Sequence, residues 1–297
     1  MQMKSEYTPV LLDHAGTDAL IQSITEQISL HTFDVNDTGL LRQMIECLGD
    51  SRGLMRLRFA QTLGSIGETA TPLLVDALLH HLNPVVRRAA GKTLALICDP
   101  DTVPSLLHAL LNDEDTVVKG SAVGALAKMG EASVPALLGI LADPIHPQST
   151  KGHAAWALGF IGAEAAPFLE EAIKSDSIDV RCATVGAIAH LAQERGDPRA
   201  AQLLVSTLRD VDPNVRSEAA SAIGKMAYQP ALPNLILALR DPDGEVRRTA
   251  AVSLGKLGDR SAIPPLELLL TDELEPVRVL AKMAISKIQN NSEDVKN

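Results

Sequence analysis

Apolar residues recur along this chain at helical spacing, interrupted by short polar turns at regular intervals. In DPDGEVRRTAAVSLGKLGDRSAIPPLELLLTD, residues 241–272, an aspartate-containing turn leads into Val-Arg. An alanine-rich stretch ending in glycine follows, then a second turn and a leucine-rich stretch. The pattern also occurs upstream as NPVVRRAAGKTLALICDPDTVPSLLHALLND and DPNVRSEAASAIGKMAYQPALPNLILALRD. Each unit therefore reads as two helices. The first, with Leu232, Leu235, Ile236 and Leu239 on one face, begins near a proline, which a first helical turn tolerates. An aspartate or asparagine then marks the turn and caps the second helix, and Gly67, Gly130, Gly162 and Gly258 close several second helices.

Aligned on the basic residue that opens each second helix, the series is Arg56, Arg87, Lys119, Lys151, Arg181, Arg216, Arg247 and Arg278. The intervals are 31, 32, 32, 30, 35, 31 and 31 residues. A repeat of this constancy predicts an all-α superhelix, a solenoid of about eight two-helix repeats over residues 37–288. The 35-residue interval places a small insertion at AQERGDPRA. Residues 1–36 form an N-terminal segment with a capping helix over 17–30, and 289–297 read as a polar tail. Three residues beyond the basic position runs a small-residue column of Ala90, Ala122, Ala154, Ala219, Ala250 and Ala281, broken only by Phe59 and Thr184. Such a column lets helices approach closely. The basic residues themselves are expected to bond turn aspartates of their own or the adjacent repeat, forming a ladder.

Composition narrows the picture. Hydrophobic residues make up 46 % and aromatics only 2 %, so the core must be built from Leu, Ala, Val and Ile. A net charge of −10 repels phosphate backbones and argues against nucleic acid as a partner. No stretch approaches the length of a membrane span, and Cys47, Cys98 and Cys182 show neither disulfide nor metal-ligand spacing. A cytoplasmic protein with no metal and no permanently bound cofactor is the expectation. Cys182 adjoins Arg181, which lowers a thiol pKa where the thiol is accessible, whereas burial makes it inert. His80 and His81 fall at a helix end expected to be solvated. No nucleotide-binding, zinc-protease or serine-hydrolase motif occurs, and no catalytic constellation is visible.

Equal offsets in successive repeats form rows along one face. Nine residues beyond the basic position the row reads Ser65, Leu96, Lys128, Phe160, His190, Lys225, Lys256 and Lys287, a solvated row. Five residues beyond, it reads Gln61, Lys92, Gly124, Trp156, Gly186, Ser221, Val252 and Met283, so Trp156 has Gly124 and Gly186 one repeat to either side. His153, Trp156 and Phe160 follow i, i+3, i+7 spacing and share one helical face. With His190, Gly124 and Gly186 they define a candidate binding groove: a glycine-floored, aromatic-lined hollow that suits a planar conjugated ligand or a protein partner. The competing reading makes Trp156 a core residue filling space left by its small neighbours.

The motifs D-x-x-V-R, A-A-x-x-L-G and G-D-x-x-A at this period resemble HEAT repeats, and more narrowly the short HEAT-like repeats of the phycobilisome lyases. Ala154-Ala155-Trp156-Ala157-Leu158-Gly159 matches part of an aromatic helix typical of that family, Y-x-A-A-W-W-L-G. Gly152 and Ala157 replace its tyrosine and second tryptophan. These departures set the chain apart from the two-subunit phycocyanin lyases and leave a single-chain lyase branch or a bilin-handling relative. The resemblance implies a lyase that attaches an open-chain tetrapyrrole, phycocyanobilin or phycoerythrobilin, to a cysteine of a phycobiliprotein subunit, with or without a second HEAT-repeat lyase subunit. Trp156 and Phe160 would stack on the pigment and His153 or His190 would make the polar contact. The alternatives are a non-enzymatic adaptor and a bilin-binding chaperone, including one acting in phycobilisome degradation.

Overall fold

The computed structural model describes residues 12–196 and 198–294. Among these the regular structure is helical throughout, and the repeat predicted from the sequence is present as alternating first and second helices. Two compact units divide the chain, Met1–Ala136 and Leu137–Asn297. The first unit holds α1 (His14–Ser29), α2 (Thr38–Glu46), α3 (Gly53–Ile66), α4 (Thr71–His80), α5 (Pro84–Ile97), α6 (Val103–Asn112) and α7 (Thr116–Lys128). The boundary falls inside α8 (Val134–Ala142). The second unit continues with α9 (Gln148–Ile161), α10 (Ala166–Ala172), α11 (Ile178–Arg195), α12 (Pro198–Ser206) and α13 (Pro213–Met226). It closes with α14 (Leu232–Ala238), α15 (Gly244–Leu257), α16 (Ile263–Leu268) and α17 (Glu275–Asp294).

Within each unit the second helices stack on one another: α3 on α5 on α7 in the first, and α9 on α11 on α13 on α15 on α17 in the second. First helices pack against the second helices, as α4 does on α5, α6 on α7 and α14 on α15. The alanine column is the seam of this stack. Ala90, Ala122, Ala154, Ala219, Ala250 and Ala281 are all fully buried, as are Phe59 and Thr184 where the column is broken. A second small-residue column, eight residues beyond the basic position, brings the backbones closer still. A Cβ on Gly224 of α13 would lie 2.8 Å from Ser253 Cα of α15, and one on Gly255 would lie 3.0 Å from Ala284 Cα of α17. Ser253 Oγ also donates to the Ala220 carbonyl at 2.8 Å, tying the same pair of helices together.

The ladder is present and more specific than a simple ion-pair row. Arg216 Nε and Nη2 grip Asp241 of the next turn at 2.7 and 2.8 Å, while Nη1 donates to the carbonyls of Asp210 and Val211 in its own turn. Asp241 Oδ1 in turn accepts from the Asp243 backbone N–H. Arg87 with Asp113, Arg181 with Asp210 and Arg247 with Asp272 repeat this fork. Burial raises the Asp241 and Asp113 carboxyls, but the bonds from Arg216 and Arg87 and from backbone N–H groups outweigh it and hold both below the ordinary carboxylate range. Such bidentate pairs fix geometry as well as charge.

The rungs change in the middle of the chain. Lys119 replaces arginine on α7 and donates to the Leu111 carbonyl at 3.5 Å, and Lys151 on α9 pairs with Asp179 of α11 instead of a turn aspartate. His81 substitutes for the turn aspartate in the second repeat. Its Nδ1 accepts the Asn83 N–H at 3.0 Å and its Nε2 meets Glu46 at 3.2 Å, so it is partly buried and engaged, unlike the exposed His80.

The ends and the insertion complete the correspondence. Helix α1 covers the first repeat through buried Ile21 and Ile24, and its Asp18 pairs with Arg52, which also holds the first turn aspartate, Asp50. The insertion lengthens α11 to Arg195; Asp197 within it lies outside the described residues. The stretch expected as a polar tail is instead helical, because α17 runs on to Asp294; residues 295–297, like 1–11, lie outside the described residues. Gly67, Gly130, Gly162 and Gly258 all have positive φ at helix ends, and Cys98 and Ala227 take the left-handed conformation at the same place without glycine.

The close approach at Gly224 has a measurable consequence. Gly224→Ala should cost about 1–3 kcal/mol of stability through overpacking against α15. Gly152→Ala, at an α9 position with nothing near the added carbon, should be neutral or gain up to about 1 kcal/mol from helix propensity. Urea unfolding of the two variants checks the contrast.

Candidate functional site

Helix α9 positions the aromatic candidates. Its buried face is set by Thr150, Ala154, Ala157, Leu158 and Ile161, which leaves His153, Trp156 and Phe160 along the opposite edge. Trp156 is 54 % and Phe160 50 % exposed, and their rings stack with centroids 5.4 Å apart and planes inclined by 22°. The indole is therefore not a core residue. Ring pairs of this geometry contribute roughly 0.5–1.5 kcal/mol beyond the area they bury, so the two side chains present one apolar plate to solvent instead of two mobile rings. The lysines of the nine-residue row, Lys128, Lys225, Lys256 and Lys287, are all exposed, which confirms the solvated character of the face on which Phe160 sits.

Within the second unit His190 lies against α9. Helix α11 stacks on α9, and His190 Cδ2 lies 4.0 Å from where a Cβ on Gly159 would be. An added carbon there would only touch the imidazole, so Gly159 marks where His190 packs on α9, a contact the sequence alone did not assign. His153 and His190 are both half-buried, and Gly186 is exposed with open space around its α-carbon. Gly124 lies on α7 of the first unit, where it borders a shallow hollow also lined by Arg88, Lys92 and Val117. The candidate residues are thus exposed or half-buried, and those on α9 and α11 belong to one packed pair of helices.

Neither Cys47 nor Cys182 is prepared for chemistry. Burial, reinforced by the carboxylates of Glu218, Asp212 and Asp179, pushes the Cys182 thiol up to about 11 against the opposing pull of Arg181. Burial likewise raises Cys47 to about 11, opposed by a hydrogen bond from Thr17. Cys98 is exposed at the left-handed end of α5, its Sγ donating to the Lys128 carbonyl at 3.2 Å. Among the described residues no group of His, Cys, Asp and Glu is gathered to hold a metal ion, and no helix is long and apolar enough to cross a membrane. What the α9 plate can do is bind: it offers ring stacking, imidazole hydrogen bonding and no nucleophile of its own.

The repeat geometry has counterparts in known proteins. The pattern of the family described as HEAT repeats matches in four overlapping blocks, residues 71–148, 105–189, 146–222 and 201–286. The chain belongs to the HEAT-repeat family. Within it, the chain is 35 % identical over 206 residues to the bilin biosynthesis protein MpeU of Synechococcus sp. (strain WH8020), which covers 69 % of each chain. It is 33 % identical over 162 residues to the uncharacterized phycocyanin operon protein Z of Pseudanabaena tenuis (strain PCC 7409), covering 50 % of this chain and 77 % of that one. Among solved structures, the karyopherin Kap121p superposes over 95 % of this chain and 38 % of its own, with a TM-score of 0.56 and 15 % identity. That likeness is one of fold alone.

The exposure of the plate predicts a mild folding phenotype. Trp156→Ala should cost no more than about 2 kcal/mol, mostly the lost ring pair and half-buried area, where a core tryptophan would cost about 3–5 kcal/mol. Urea unfolding followed by circular dichroism distinguishes the two.

Proposed function

We propose that this protein is a bilin lyase or a lyase subunit: it holds an open-chain tetrapyrrole against the Trp156–Phe160 plate and promotes its attachment to a cysteine of a phycobiliprotein subunit. The observation that carries the reading is a stacked, half-exposed aromatic pair on a helix whose neighbours in the same rows are glycine and lysine. Kinship supports the ligand class, since one relative is a bilin biosynthesis protein and another a phycocyanin operon protein.

The chemistry asked of the protein is modest. The acceptor thiolate adds to the ethylidene carbon of the bilin, a carbon–sulfur bond forms, the double-bond electrons move into the adjoining ring, and a proton is taken up there. Nothing leaves, and the nucleophile belongs to the acceptor protein, which agrees with the raised thiols of Cys47 and Cys182. The lyase contributes by holding the flexible pigment in one conformation beside the incoming cysteine, and orientation of two reactants is a large part of such accelerations. In this account Trp156 and Phe160 stack on the conjugated rings, Gly186 leaves the approach clear, and His153 and His190 hydrogen-bond pyrrole N–H groups or propionates. Phycocyanobilin and phycoerythrobilin both satisfy these demands, and a second HEAT-repeat subunit would serve to complete the enclosure.

Phycocyanobilin added to the purified protein should change its visible absorption, and Trp156→Ala should weaken that binding about tenfold while the protein stays folded. Co-expression with phycobiliprotein subunits and a bilin-synthesis pathway should give a covalent adduct that falls in parallel. An unchanged bilin spectrum would remove both the lyase and the chaperone reading. Binding without adduct would leave a chaperone.

A further inference from the structure

The first unit carries a second groove, away from the aromatic helix in sequence. Two adjoining hollows of about 370 and about 420 Å³ lie over the second helices α3, α5 and α7 and share Arg88 and Lys92. Leu57 and Leu96, both at least half exposed, and Val117 give the groove apolar walls. Its charge is of one sign. Arg56, Arg88 and Lys92 line it, and no aspartate or glutamate does. In a chain with a net charge of −10 that asymmetry stands out.

The ladder makes these cations unusual. Arg87, Arg181, Arg216 and Arg247 are each consumed by a turn aspartate. Among the described residues, Arg88 and Lys92 form neither a hydrogen bond nor an ion pair, although they are one turn apart on α5 and close to Arg56 of α3. Partial burial, and then the charges of Arg88 and Arg56, push the Lys92 ammonium below the ordinary lysine range. Repelling cations between apolar walls are relieved by an anion that brings an apolar body with it. Inorganic phosphate would leave the leucines wet, and a nucleic acid would meet the repulsion of the whole acidic chain. A hollow of this size is that of a small-molecule site.

We propose that the first unit's groove is a second ligand site, in which an open-chain tetrapyrrole is held by its propionate carboxylates on Arg88 and Lys92, with Leu57 and Leu96 against its apolar frame. For the identity of the ligand, the proposal rests on the bilin-handling reading; the groove's demand for a carboxylate on an apolar body does not. Charge-assisted bonds of this kind are the strong ones, so the site selects for free propionates, whereas the aromatic plate selects for conjugated rings and tolerates their esters.

The test is calorimetric titration of the full chain with biliverdin, biliverdin dimethyl ester and dodecanoate, with Trp156 emission recorded alongside. The proposal predicts a biliverdin binding event that is absent with the dimethyl ester. Arg88→Gln/Lys92→Gln should weaken that event about tenfold or more and leave the quenching of Trp156 by the diester unchanged; both side chains are exposed, so the variant folds. Retention of the carboxylate-dependent event in the double variant, or equal binding of acid and ester by the wild type, overturns the proposal. Binding of dodecanoate through Arg88 and Lys92 with neither tetrapyrrole bound removes the pigment reading and keeps the groove as a carboxylate site. Failure to bind any of the three overturns the groove itself.

Discussion

Close stacking of the second helices governs everything else in this protein. One helix pair cannot bury its own apolar face, so each repeat depends on a neighbour approaching within backbone contact. The alanines of the first small column and the glycines of the second, Gly224 and Gly255 among them, make that approach possible. Because the seam uses those positions, the residues five and nine places beyond each basic position are turned away from it. A large ring placed there has no core to enter. Trp156 and Phe160 therefore stand outside for the same reason that Ala154 and Leu158 are buried.

The arginine forks add direction to this packing. Each fork reads the turn below its own helix and the aspartate of the next, so it specifies which repeat follows and at what register. The forks give way to lysine at Lys119 and Lys151, in the two consecutive repeats whose second helices are α7 and α9. Those two second helices fall on either side of the boundary between the compact units in sequence, and α9 carries the aromatic pair. The rungs that lack the arginine fork thus fall next in sequence to the residues proposed to meet a ligand. Function on this scaffold needs few special residues, because the scaffold supplies rows and the ligand chooses among their side chains.

The fold was legible from spacing because stacking imposes a period of about 31 residues on the chain, and no other constraint produces such a period. The solvated character of the Phe160 row was legible from its lysines. The asparagine and aspartate caps were legible because only short oxygen-bearing side chains satisfy free N–H groups at a helix start. His81 acting as a turn aspartate was not, since that depends on one ring nitrogen reaching a backbone N–H two residues on. Nor was the basic groove: Arg56 and the Arg88–Lys92 pair are 32 residues apart from Arg56 to Arg88, and only the stacking of α3 on α5 collects them. The polar C-terminal stretch misled because composition predicts fraying, while α17, which packs on α15 and α16, continues as helix to Asp294.

The central claim is that a single half-exposed indole, locked to Phe160, is a landing surface for a conjugated pigment. Collisional quenching of Trp156 emission by acrylamide, with and without saturating phycocyanobilin, tests this most directly, because no other tryptophan contributes. The account predicts ready quenching of the free protein and strong protection once the pigment is present. Equal accessibility in both states would contradict it.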